Sequence, residues 1–152
     1  MIAIQKQLDL SLLVLRGSAL LLLVLYGWSK LTWLVPLISG NQAWESWGFA
    51  LQIGKLGFPV PVLLAVFAVF CESFGAFLIA VGFFTRFFAT LAALSMAGAM
   101  YFSLRVGEAA WQLAALYLLA FVALALVGPG KFSVDHFVQV YRERPQSADI
   151  NI

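Results

Sequence analysis

Four apolar stretches divide the chain, at 10–28, 59–82, 86–102 and 111–127, with polar, glycine- and proline-bearing segments between them. A bilayer core takes about 20 apolar residues per helical crossing, so each stretch is predicted to be a transmembrane helix. In the second, Ala65, Ala68, Glu72, Gly75, Ala76 and Ile79 recur at helical spacing on one face. Small residues let helices approach closely, so this face is predicted to point at neighbouring helices and to carry Glu72 away from lipid. In the first, Arg16, Leu20, Leu23, Gly27 and Lys30 fall near one face, and Lys30 is taken as the end of the crossing. Thr85 is the expected N-cap of the third, which is rich in Ala, Ser and Gly. Gly128-Pro129-Gly130 stops the fourth.

The segment 31–58 is too long for a simple connection. It is aromatic rather than polar, with Trp33, Trp44, Trp47, Phe49 and Phe58. Asn41 is predicted to cap a short helix with Trp44, Trp47 and Leu51 on one face. Such a helix would lie in the membrane interface, as an anchor or as a gate for a lipid-soluble ligand. The expected fold is therefore an all-α integral membrane protein: a four-transmembrane-helix bundle over residues 1–135 with an interfacial helix in its first loop. A polar tail follows at 136–152, mobile at its end.

Composition strengthens this picture. The chain has 152 residues, 63% hydrophobic and 11% charged, with mean hydropathy +0.97. Soluble domains are about 45–50% apolar and about 25% charged, so lipid must solvate part of this surface. The net charge of +2 is dispersed rather than striped, which excludes a nucleic-acid interface. Cys71 is the only cysteine, so no internal disulfide or CxxC pair exists, and the residue is read as a small buried hydrophobe. His136 is the only histidine, which argues against a metal or haem site.

Four crossings place both termini on one side. Lys6, Arg86, Lys131, Arg142 and Arg144 fall there, against Lys30, Lys55 and Arg105 on the other. The positive-inside rule makes the first side cytoplasmic. Trp28, Trp33, Trp44, Trp47 and Trp111 then gather at the outer interface.

Arg16 and Glu72 are the charges deepest in the expected spans, roughly 10 and 15 Å above the inner helix ends at 1.5 Å per residue. Intramembrane charges usually face inward and pair, so an Arg16–Glu72 pair is expected. It either fixes helix register or forms a polar pocket for a ligand head group. At the inner surface Arg86 and Asp135 are close enough to meet, as a clasp or as part of a site.

Taken in order, Arg16, Gly27-Trp28-Ser29-Lys30, LGFPVP (56–61), Glu72, GFFTR (82–86) and GPGKFSVD (128–135) resemble the DoxX family of small bacterial four-helix membrane proteins. The resemblance covers roughly Leu12 to Asp135. It implies a multi-pass protein of the bacterial cytoplasmic membrane, both termini cytoplasmic. Some relatives are linked to redox complexes, including the small subunit of a thiosulfate:quinone oxidoreductase. The family supplies no settled catalytic residues. Arg16, Lys30 and Glu72 are therefore carried as ligand-pocket candidates, and Arg86 and Asp135 as a cytoplasmic-face cluster.

The expected function is that of a redox-associated membrane subunit whose pocket takes a quinone or another lipid-soluble ligand. No cofactor is expected to be covalently bound, and electrons would come from a partner subunit. Lipids, a redox partner or further copies of the chain are the expected neighbours. The alternative is a non-catalytic accessory or assembly subunit of a membrane complex.

Overall fold

The computed structural model describes residues 2–142, and every regular element among them is helical. Helix α1 (Ile2–Leu22) runs without a break through a π-helical turn, Leu23–Gly27, into α2 (Trp28–Ile38). Together they form one long rod. Nothing in its sequence stops it before Pro36, which lies in the last turn of α2. The carbonyl of Pro36 accepts the N–H groups of Asn41 and Gln42 at 2.9 and 3.0 Å, and Gly40 takes φ +75° to close the end.

The first apolar helix therefore does not end at Lys30, as the sequence suggested. A lysine terminates an apolar helix when lipid would surround it; this one is neutralised inside the protein, and the helix continues for two more turns. The connecting segment is correspondingly shorter. It holds a 3-10 turn, Trp44–Ser46, and α3 (Gly48–Lys55).

Asn41 does not cap α3. Its amide donates to Ser39 Oγ at 3.0 Å. Nor do Trp44, Trp47 and Leu51 share a face: Trp47 is buried, while Trp44 and Leu51 are exposed. Trp47, Ala50 and Ile53 pack with Leu37, Ala65 and Val69 into a small core. Burying the Trp47 indole against aliphatic side chains removes far more apolar surface from water than a surface position would.

The second rod has the same construction as the first. Helix α4 (Pro61–Phe70) passes through a π turn, Cys71–Gly75, into α5 (Ala76–Val81). Pro61 begins α4, where its missing N–H costs nothing. Helix α6 (Thr85–Val106) and α7 (Trp111–Val127) complete the long elements. Helix α6 runs four residues past the expected end, to Gly107 at φ +79°.

Three spans, Gln5–Ile38, Pro61–Val81 and Thr85–Val106, are long and apolar enough to cross a membrane, and Trp111–Val127 is a shorter apolar helix. All four contribute to one core. Leu12, Ala19 and Leu22 of α1 meet Ala76 and Ile79 of α5, Ala89, Ala92 and Met96 of α6, and Tyr117, Phe121 and Leu124 of α7. Outward-facing Leu21, Val24, Trp28, Phe74, Leu116 and Leu126 remain exposed, an apolar surface that suits lipid.

Beyond α7 the sequence suggests only a polar tail from residue 136. Instead, α8 (Val134–Arg142) is amphipathic, with Phe137, Val138 and Tyr141 exposed on its apolar side. Glu143, Arg144, Pro145 and the rest of the expected mobile end lie outside the described residues.

Candidate functional site

The two π turns face each other where the two rods come closest. Gly27 makes the approach possible: a Cβ there would collide with the main-chain carbonyl of Glu72 and stand 3.0 Å from Ser73 Cα. A π turn inserts one residue into the helical repeat and re-aims the side chains around it. Here the turn in the first rod precedes Lys30, and the turn in the second contains Glu72.

Glu72 is buried, as its small-residue face predicts, with Ala65, Gly75, Ala76 and Ile79 buried beside it. Its partner, however, is Lys30. Nζ donates to Glu72 Oε2, with the side chains 17% and 4% exposed. The ammonium also stands 5.3 Å over the Phe49 ring.

Arg16 does not pair with Glu72. It is buried at the opposite end of the second rod, ringed by carbonyls. Nε donates to Ile79 O at 3.2 Å, Nη2 to Ala80 O at 2.7 Å, and Nη1 to Pro129 O at 3.3 Å and to Phe132 O. The last carbonyls of a helix lack intrahelical donors and carry its negative end. Arg16 donates to two carbonyls in the last turn of α5, Ile79 O, which also accepts Gly82 N–H at 3.1 Å, and Ala80 O, and ties them to the chain leaving α7. Gly82 leaves room for it, since a Cβ there would lie 2.7 Å from Nη2.

The expected Arg86–Asp135 contact is also replaced by helix capping. Asp135 Oδ1 accepts Phe84 N–H at 2.8 Å, and Oδ2 accepts Thr85 N–H at 3.0 Å and Thr85 Oγ1–H at 3.2 Å. The cap of α6 thus comes from α8, and Thr85 is the first helical residue rather than the N-cap. Arg86 Nη2 donates to Val127 O at 3.2 Å and closes the end of α7. Asp9, which the sequence did not single out, is buried and accepts Lys131 N–H at 3.2 Å. These groups clasp one end of the helices.

The Lys30–Glu72 pair has a different setting. It forms part of the wall of a cavity of about 290 Å³. Phe49, Ile53 and Phe58 line it from α3 and the chain that follows, and Phe67 and Ala68 from α4. Helix α6 contributes Ser95, Gly98, Ala99, Phe102 and Ser103. Phe58 is held edge-on to Tyr101, ring centroids 5.4 Å apart. The walls are therefore mainly apolar and aromatic, with an ammonium and a carboxylate side by side. Of the three ammonium N–H groups, one is used on Glu72. Such a pair adds no net charge yet offers both donors and an acceptor to an uncharged polar group.

The profile of the DoxX family matches residues 11–105. The chain belongs to the DoxX family. The matched region contains Lys30, Glu72 and all of the cavity wall from α3, α4 and α6. It ends before GPGKFSVD, where the DoxX chain builds its Asp135 clasp. No curated protein and no solved structure matches this DoxX protein.

Of the three pocket candidates, then, the structure brings Lys30 and Glu72 together and sends Arg16 elsewhere. The α6 wall was missed in sequence. Its signal was present, because Ser95, Gly98 and Ala99 are small residues within a long apolar helix, a pattern that fits a close helix contact as readily as a cavity. Among the described residues no cluster of His, Cys, Asp and Glu could hold a metal ion.

Proposed function

We propose that this DoxX protein is a redox-associated subunit of the bacterial cytoplasmic membrane and that the cavity beside Lys30 and Glu72 receives the head group of a quinone. In this reading the four apolar helices cross the bilayer with both termini cytoplasmic, and α3 with its aromatic neighbours covers the outer side of the cavity. The observation that carries the proposal is an ion pair in the wall of an otherwise apolar, aromatic cavity. Ligand pockets typically combine such walls with a few placed polar groups. At about 290 Å³ the cavity is near the small end of that class, suited to a ring whose tail extends into lipid.

A bound quinone would supply reversible two-electron, two-proton chemistry. The chain's own part is to bind and orient the ring and to keep a proton exchangeable at Lys30 Nζ and Glu72 Oε2. With one cysteine the chain offers too few thiolates for an iron–sulfur cluster, and neither its one histidine nor its cysteine lines the cavity, so in this reading electrons come from a partner subunit.

The test is extraction of protein purified in mild detergent from its own membranes, with quinone measured against protein. The expected result is close to one quinone per chain for the wild type and a large loss in Glu72→Gln. Copurifying partner chains with no quinone above the lipid background would overturn the proposal and favour an accessory or assembly role.

A further inference from the structure

Ser95 is the anomaly of the cavity wall. It is 6% exposed, and its Oγ is the one buried side-chain polar atom among the described residues without a hydrogen-bond partner. Several other hydroxyls in these helices turn back to a carbonyl about one turn earlier, among them Ser11 to Gln7, Ser18 to Leu15, Ser73 to Val69 and Thr90 to Arg86. Ser95 makes no such bond. Buried polar groups are overwhelmingly satisfied, and an exception calls for a cause such as a missing ligand. Next to it α6 is unusually bare. A Cβ built on Gly98 meets nothing within 4 Å, and Ala99 follows.

We infer that Ser95 is the second polar anchor of this cavity, so that its ligand carries hydrogen-bonding oxygens at two separate positions of a flat ring. Lys30 and Glu72 take one oxygen and the Ser95 hydroxyl takes the other, with the ring lying along the bare stretch of α6. Rotation about a single bond aims the hydroxyl, which no internal bond holds back. The inference rests on the quinone reading and narrows it. A ring oxygenated at two positions fits, whereas an alkylphenol or a fatty acid leaves Ser95 unpaired.

The test measures binding of two chain-matched probes, a decyl-substituted benzoquinone and decylphenol, to the full-length protein in detergent by calorimetry. Ser95→Ala should weaken the benzoquinone about 3- to 10-fold, the worth of one hydrogen bond, and leave decylphenol within about twofold. Gly98→Leu, which fills open space and improves helix propensity, should abolish binding of both while the helical CD signal and its melting stay intact.

Should Ser95→Ala leave benzoquinone affinity unchanged while Glu72→Gln weakens it, the second anchor is wrong and the quinone reading stands. Equal weakening of both probes by Ser95→Ala would also overturn the anchor, because it marks a merely structural role. If neither probe binds the wild type, the quinone reading itself fails.

Discussion

Mutating the Lys30–Glu72 pair should give strongly non-additive effects. Removing one partner of a buried ion pair costs about 3–5 kcal/mol because the other charge is stranded. The structure makes the two partners unequal, with Glu72 at 4% exposure and Lys30 at 17% on a flexible four-carbon stem. Lys30→Met strands the better-buried charge and should cost about 3–5 kcal/mol. Glu72→Leu leaves an ammonium that can shift toward the cavity mouth, and should cost about 2–3 kcal/mol. The double variant exchanges the pair for apolar contact and should return to within about 1 kcal/mol of wild type, because matched apolar replacements are often neutral or stabilising.

The assay is SDS-induced unfolding in mixed micelles followed by far-UV CD. Arg16→Met with Glu72→Leu is the control cycle and should be additive to within about 0.5 kcal/mol. Arg16 bonds to Ile79, seven residues beyond Glu72 and so roughly 10 Å further along the rod. If the Lys30 and Glu72 effects simply add while the Arg16 and Glu72 effects couple, the assignment of partners is wrong.

Other outcomes follow from the same geometry. Gly27→Val should prevent the close approach of the two rods and lower both stability and quinone content, read by CD melting and by extraction; unchanged melting would contradict the contact with the Glu72 main chain. Asp135→Ala removes the cap of α6 and should cost about 1–2 kcal/mol, with Asp135→Asn recovering part of it. An Asp135→Ala variant as stable as the wild type would mean that the carboxylate's bonds to Phe84 and Thr85 carry no stability. Tags at either terminus should be reached only from the cytoplasmic side in sealed spheroplasts and inverted vesicles, and a tag reached only from outside would refute the proposed topology.

The sequence made the inward face of Glu72 readable, because Ala65, Gly75 and Ala76 left a helix surface that lipid would fill poorly and a neighbouring helix fills well. It also placed the start of the second rod at residue 59, two residues before α4 begins at Pro61, and the end of α7 before Gly128. It misassigned the partner of Glu72 for two physical reasons. A lysine at the edge of an apolar run looks the same in sequence whether lipid or a carboxylate surrounds it, so Lys30 marked a helix end that does not exist. Depths counted from the inner helix ends also put Arg16 within about one turn of Glu72, whereas it bonds to Ile79 and Ala80, seven and eight residues further along the second rod.

Arg16 was misjudged because sequence shows side-chain charges but not unpaired carbonyls. The carbonyls of Ile79 and Ala80, in the last turn of α5, give the guanidinium hydrogen-bond acceptors where a carboxylate was expected. Asp135 follows the same logic in reverse, since its partners are main-chain N–H groups that exist only once α6 has begun. The π turns and the cavity depend on how two rods meet at Gly27, a tertiary fact that no periodicity within either rod contains.

The cavity beside Lys30 and Glu72 is tested most directly by photolabelling membranes with an azido-benzoquinone and mapping the adducts by mass spectrometry. The account predicts adducts confined to peptides carrying Phe49 to Phe58 and Leu94 to Phe102, competed by unlabelled quinone and lost in Glu72→Gln. Adducts spread over the outward leucines of α1 and α7, unaffected by competitor or by Glu72→Gln, would contradict it.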